Sequence, residues 1–324
     1  MPTLNALQNE LVQLPLHTTV FLEGLPGSGK TTAAVERLRT LIAQGIPAQQ
    51  ILVLVPQRTL AEPYRAATLD PDLPAGGAVN ILTIGGVARR LVELFWPEIA
   101  EPAGFVHPEL SPTFLTLETA QYFMAKLVRP LLEKGYFASL SLDPNRLYSQ
   151  ILDNLNKAAI IGIPHTEIGE RLKSAWNGSP GQLRVYDDVQ ESANLFRQFC
   201  YEHNLLDFSL QIDLFRTYLM TNPIVHAILK DQYRHLIVDN IEEDVPITHD
   251  FIRFWLPDLD SALLIYDLDG GYRTFLGADP VSALTLKEQC SHQFQFLESF
   301  VQDESMHSLI EVVHASLNQI PIPT

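Results

Sequence analysis

Cysteine is nearly absent: Cys200 and Cys290 are the only two in 324 residues. That excludes a disulfide scaffold and fits a reducing compartment. Basic residues are also scarce, with 22 Lys and Arg against 38 Asp and Glu and a formal net charge of −16. A generally basic nucleic-acid coat is excluded, so any DNA or RNA contact has to use a local patch. No apolar run approaches the ~20 residues that cross a bilayer, which leaves no membrane partner. The first residues lack the basic start and apolar stretch of a signal peptide. The expectation is a soluble cytoplasmic protein. G-x-S-x-G, H-E-x-x-H and C-x-x-C do not occur, so hydrolase, zincin and thioredoxin chemistry has no support.

What the sequence does have is alternation. Thr19 to Leu22 reads as a strand ending in a glycine cluster, and Thr31 to Ala43 follows with helical spacing. Ile51 to Val55 and Ile81 to Thr83 read as strands, the second leading into a helix from about Val87 to Phe95. Strands alternating with helices indicate an α/β fold on a parallel sheet. From Ser111 to Leu229 strand patterns nearly vanish. Leu115 to Leu132, Asn145 to Ala159 and Gln182 to His203 carry amphipathic helical spacing, with Ser111-Pro112 as the expected start of the first. Apolar runs resume before Asp239 and before Asp267. Leu284 to Asn318 is expected to give a strand and then a helix.

Gly24-Leu25-Pro26-Gly27-Ser28-Gly29-Lys30-Thr31 matches G-x-x-x-x-G-K-[ST], between a strand and a helix as that loop requires. The glycines let backbone N–H groups turn inward around an anion, Lys30 reaches the β- and γ-phosphates, and the Thr31 hydroxyl is placed for Mg2+. The helix that follows points its positive end at the phosphates. Gly24, Gly27, Ser28, Gly29, Lys30, Thr31 and Thr32 form the candidate nucleotide-binding set. Such a loop needs an acid at the end of another strand to hold Mg2+. Asp239 is favoured for it and Asp267 competes.

Taken in order, these segments resemble the motor region of UvrD/Rep/PcrA-type superfamily I helicases. Leu4 to Gln8 resembles the segment whose glutamine reads adenine, which implies that role for Gln8. Ile51 to Arg65 resembles motif Ia, Thr83 to Leu91 the T-F-H-S-F-A-x-R-L segment, and Asn204 to Phe208 the return from the family's helical insertion. Tyr233 to Glu243 resembles the Walker B motif YRHILVDEFQD, and Ile265 to Pro280 resembles motif III. The resemblance implies an α/β, RecA-like P-loop NTPase domain with a parallel sheet, built from residues 1–108 and 211–290, with an all-helical insertion at 109–210. It implies ATP and Mg2+ as cofactors, with Lys30 and Asp239 in catalysis. Residues 291–324 are expected to begin a second motor domain, missing or reduced here or replaced by a partner subunit.

The departures from the family fall on hydrolysis and coupling. Asn240 stands where the family has the glutamate that activates the attacking water, and an amide cannot take the proton. Loss of a general base costs ~10²–10⁴ in rate. Glu242 replaces a glutamine, Gly270 the motif III glutamine that senses the γ-phosphate, Leu276 an arginine and Gly85 a histidine. Leu297 to Val301 is faintly similar to LEQNYRS, with Val301 at the phosphate-contacting arginine. The expectation is ATP binding with impaired hydrolysis and no unwinding by this chain alone. Glu242 or Glu243 is the residue available to stand in as base.

The resemblance also lays single-stranded DNA across motifs Ia and III. Arg58, Arg65, Arg89 and Arg90 lie in or near the matching segments, and Phe275 matches an aromatic that stacks on a base. Charge beside an aromatic platform is what single strands need. The competing reading makes these arginines surface ion-pair partners and Phe275 core. Cys200 and His203 lack further ligands at zinc spacing and read as structural. His307 and His314 read as solvent-facing, and Phe294, Phe296 and Phe300 as packing for the last helix. Three functions remain: a DNA-stimulated ATPase module of repair or recombination, an inactive ATP-binding scaffold or partner subunit, and an unrelated P-loop kinase.

Overall fold

The computed structural model of the chain describes residues 3–71, 73–74, 77–268 and 270–317. The side chains of His307 and His314 lie outside what it describes. The chain opens with α1 (Ala6–Val12), whose first turn is closed by a reciprocal pair: Asn5 accepts from the Gln8 N–H, and Gln8 accepts from the Asn5 N–H. β1 (Thr19–Gly24) feeds the glycine loop and α2 (Lys30–Ala43). β2 (Ile51–Leu54) leads through a 3-10 turn into α3 (Glu62–Thr68), and β3 (Asn80–Leu82) leads into α4 (Ile84–Leu94) and α5 (Trp96–Ile99). A short β4 (Thr113–Phe114) precedes α6 (Leu117–Glu133), α7 (Pro144–Ile161), α8 (Ile168–Ala175) and α9 (Leu183–Glu202). Then come β5 (Leu205–Leu206), α10 (Phe208–Leu214), a π-helical turn and α11 (Pro223–Gln232). β6 (His235–Val238), α12 (Pro246–Trp255), β7 (Ser261–Asp267), α13 (Pro280–Leu284), β8 (His292–Phe296) and α14 (Glu304–Leu317) follow.

Six strands form one sheet in the order β3-β2-β6-β7-β1-β8, with every pairing parallel. Side chains alternate between its faces. Leu52, Leu54, Leu236, Val238 and Leu264 enter one core with residues of α4, α7 and α10. Ile51, Val53, Ile237, Leu263 and Ile265 enter the other, with Leu38 and Leu41 of α2 and Tyr64 of α3. Cover on both faces is why these strands read as unbroken apolar runs. The α/β RecA-like class expected from the sequence is the class observed.

Three local expectations change. The sheet takes in β8, past the boundary placed at residue 290. As an edge strand with only Phe296 buried, it carries little apolar signal. The helix expected from Ser111-Pro112 starts instead at Leu117, because Thr113–Phe114 pair in parallel with Leu205–Leu206 and the Thr116 side chain caps α6. Thr83 is not a strand residue, since its hydroxyl accepts from the Gly86 N–H and caps α4. No helix among the described residues is long and apolar enough to cross a membrane.

The β4–β5 ladder lies where the chain leaves for its helices and returns. Asn204 fastens the return by donating to the carbonyls of His107 and Leu110 at 2.6 and 2.9 Å. Beside it Arg197 of α9 donates to Asp207 and to the Ser209 hydroxyl, each at 2.8 Å, and both ionic side chains are buried. Removing one partner of such a pair strands a buried charge. Asp207→Ala is expected to lower the unfolding free energy by about 3–5 kcal/mol, read from denaturant midpoints. Asp153→Ala, which removes a half-exposed partner of Lys157, is expected to cost less than about 1 kcal/mol.

Candidate nucleotide site

Parallel strands bring their carboxyl ends to one rim, where α/β sheets bind ligands. Gly24 at the end of β1 pairs with Asp267 on β7 and with Phe296 on β8. Asp239 follows Val238, the last residue of β6, onto the same rim. Gly29 has a φ of 78°, strained for any side chain, and a Cβ there would strike the Gln8 amide. Gln8 is buried and donates to the Ser28 carbonyl at 3.2 Å, which fastens α1 to the loop. The Lys30 ammonium donates to the carbonyls of Gly24 and Leu25 at 2.9 and 2.7 Å and to Asp267 at 2.7 Å. The Ser28 hydroxyl is buried without a partner among the described residues, and α2 begins without a side-chain cap. Such a loop fits an anion. Gly27 lies within it at φ 75°, and Thr32 follows half-buried in α2.

Asp239 is buried, and its Oδ2 accepts from the Thr31 hydroxyl at 2.9 Å and the Tyr64 hydroxyl at 2.8 Å. Burial pushes its carboxyl above the ordinary range against the pull of those donors. A buried carboxylate met by hydroxyls fits a hard cation such as Mg2+. Asp267, the competitor for that role, meets Lys30 rather than Thr31. Glu242 is 1% exposed. Its Oε2 accepts from the Asp267 N–H at 2.9 Å and its Oε1 from the Asn240 amide at 3.3 Å. Burial pushes the Glu242 carboxyl up to about 7. Gly270 makes room for it, since a Cβ there would come within 2.9 Å of Glu242 Cγ. Glu243 accepts from the N–H groups of Gly271 and Tyr272 at 3.1 and 3.0 Å, so two neighbouring acids grip the loop after β7.

A family model described as the UvrD/REP helicase N-terminal domain matches residues 4–291. The chain belongs to the UvrD/Rep helicase family. Proteins named ATP-dependent DNA helicase UvrD2 from Mycobacterium bovis and Mycobacterium tuberculosis are 26% identical to it over 289 residues, 84% of this chain and 37% of theirs. The chain therefore spans little more than a third of the length of these curated relatives.

The residues expected to meet DNA in this UvrD-type domain do not gather as the nucleotide set does. Arg58 is exposed in the turn after β2, and Phe275 is 67% exposed after β7, which removes the reading of Phe275 as core. The Arg89 guanidinium lies 4.3 Å over the Phe114 ring. Arg90 donates at 2.7 Å to Asn80, the first residue of β3 and so the far end of that strand from the rim. Two neighbours of the nucleotide set escaped sequence reasoning. Tyr64 carries no local motif that marks it for the site. Phe300 was expected to pack the last helix but is 53% exposed; its N–H donates to the Gly27 carbonyl at 3.0 Å and its ring edges Gly29. Phe294 and Phe296 do pack on the sheet.

The position of Glu242 has a pH signature. Burial pushes its carboxyl up to about 7 in the folded protein, from the 4.5 of an ordinary glutamate, so the unfolded chain gives up the proton first. The stability that Glu242 contributes is present below pH 4.5 and is lost as pH rises through 7. Glu242→Gln removes that loss. The stability difference, variant minus unaltered protein, is expected to grow by about 3 kcal/mol between pH 4 and pH 8. Melts at both pH values check it, and a flat difference would mean that Glu242 is not held in this buried site.

Proposed function

We propose that this chain is an ATP-binding motor module of the superfamily I type with impaired hydrolysis of its own. It works on single-stranded DNA in repair or recombination, together with a second motor domain or a partner subunit. The observation that carries the reading is the pair at 240 and 242. Asn240 puts an amide at the position of the hydrolytic base. The nearby carboxylate, Glu242, is tied between the Asp267 N–H and that amide.

In this reading the loop's backbone and the start of α2 cradle the phosphates, and Lys30 turns its charge from Asp267 to them. Gln8 takes an adenine edge, and the exposed Phe300 ring beside it offers a face to the base. Thr31 and Asp239 hold Mg2+, which when bound neutralises charge on the phosphate oxygens. Glu242 is fixed by its two donors two positions beyond the base position, so it does not stand where the attacking water is activated, and turnover is slow for that reason. Arg58 and Phe275 at the rim, with Arg89 and Arg90 outside it, are the DNA candidates. Two free cysteines fit a cytoplasmic setting. An inactive ATP-binding scaffold is the second reading. Asn240 favours it equally, and turnover separates the two.

The test is Mg2+-ATP binding and turnover, with and without single-stranded DNA, beside Lys30→Ala and the double variant Asn240→Glu with Glu242→Gln. Binding is expected to be lost in Lys30→Ala. Turnover of the unaltered chain is expected near background, rising at least ~10²-fold when Asn240→Glu is combined with Glu242→Gln, which removes the acid that would face it. Brisk DNA-stimulated turnover by the unaltered chain would sink impaired hydrolysis. Binding that survives Lys30→Ala would sink the nucleotide site.

A further inference from the structure

Tyr64 takes no part in the phosphate loop, yet it touches the central acid of the site. It sits on α3, fully buried in the core that α2 shares, and its hydroxyl donates to Asp239 Oδ2 at 2.8 Å. The Thr31 hydroxyl donates to the same oxygen at 2.9 Å. A carboxylate oxygen offers two lone-pair sites. Oδ2 is therefore filled by the two hydroxyls; the Asn240 backbone N–H is a further donor to the carboxylate, and Oδ1 is the oxygen that keeps room for a cation or for water bound to one. We infer that Tyr64 is a positioning residue that makes this site select Mg2+ over Ca2+.

The argument is one of coordination geometry. Mg2+ is small, demands octahedral ligands and keeps several waters, so a single fixed carboxylate oxygen suits it. Ca2+ gathers six to eight oxygens and often takes both oxygens of one carboxylate. Two hydroxyls on Oδ2 block that two-oxygen grip. They also tie the carboxylate to two separate elements: Thr31 belongs to the helix that follows the phosphate loop, and Tyr64 to a helix that follows a different strand, β2. Without the Tyr64 hydroxyl the carboxylate is free to turn about Thr31 alone. Mg2+ then loses a fixed ligand while Ca2+ gains a second oxygen.

The inference rests on the nucleotide-binding reading, and the experiment separates the two. Binding of a fluorescent ATP analogue by the full chain is measured in EDTA and across titrations of Mg2+ and, separately, Ca2+. The proteins are the unaltered chain, Tyr64→Phe and Lys30→Ala. Tyr64→Phe keeps the ring in its core and deletes only the donor. It is expected to bind the analogue in EDTA as the unaltered chain does. Its half-saturating Mg2+ is expected to rise about tenfold, the scale of one charge-assisted hydrogen bond, while that for Ca2+ stays level or falls. Equal Mg2+ and Ca2+ titrations in the two proteins, or a parallel shift of both cations, would overturn the role of Tyr64 and leave the nucleotide site standing. An unaltered chain that does not bind the analogue, or a Lys30→Ala that binds it as well, would overturn the nucleotide site and this role with it.

Discussion

The parallel register of β1 against β7 sets Gly24 level with Asp267, and the charged groups of the site take their places from it. Lys30, the first residue of α2 directly after Gly29, folds back far enough for its ammonium to meet the Asp267 carboxylate. A slip of one residue in either strand would reverse the face of every side chain along it. The two cores would then lose their alternation, so packing on both faces of the sheet holds the register that the site needs. β6, beside β7, delivers Asp239 to the same rim, and α3, packed beside α2, delivers Tyr64. Fold and site are thus specified by the same alternation.

The departures at 240, 242 and 270 form one physical unit rather than three. A carboxylate at 240 would face the Glu242 carboxylate where an amide now donates to it, and two acids so close in a buried site would push one another toward protonation. A side chain at 270 would collide with the Glu242 stem. Asn240 and Gly270 are therefore the residues that allow a buried acid at 242. Each also takes away a group that the family resemblance assigns to hydrolysis or phosphate sensing. Accommodation of Glu242 and loss of the usual base are two faces of one arrangement.

Much of this was legible in the chain. The glycine loop was, because its backbone demands specific residues at specific spacing. The strands of the sheet interior were, because burial on both faces makes them apolar throughout. The acid after β6 was, because a run of branched residues ends on it. What escaped reading was non-local or lay at an edge. A strand was expected between Leu284 and Asn318 and β8 is that strand, but its place in the sheet was not legible, because it is covered mainly through Phe296 and its pattern is weak. The contact of Tyr64 spans 175 positions, and nothing near residue 64 announces it. Phe300 looked like packing because an aromatic ring carries no sign of whether its face will be covered. Arg90 sat in a promising motif, but helix periodicity turns it toward the start of β3.

Charge decides how far the nucleotide and DNA readings can be treated alike. A net charge of −16 repels both ligands during approach, though ions screen that field beyond about 8 Å at physiological ionic strength. A nucleotide at the proposed site would be gripped at contact distance by a loop, an ammonium and a helix end, where local donors outweigh the distant field. A DNA strand lies along the surface and depends on scattered cations. Here Arg89 is stacked on a ring and Arg90 is engaged with Asn80, and Arg58 and Phe275 remain at the rim. The buried acids Asp239 and Glu242 add to the asymmetry. Burial disfavours the charge on each, so a cation brought in with the nucleotide relieves a cost already present in the folded protein. Ligands that bind only the native state stabilise it in proportion to their affinity. The physical case for nucleotide therefore rests on a site already built, whereas the case for DNA depends on surfaces beyond this rim to supply charge that the rim does not concentrate.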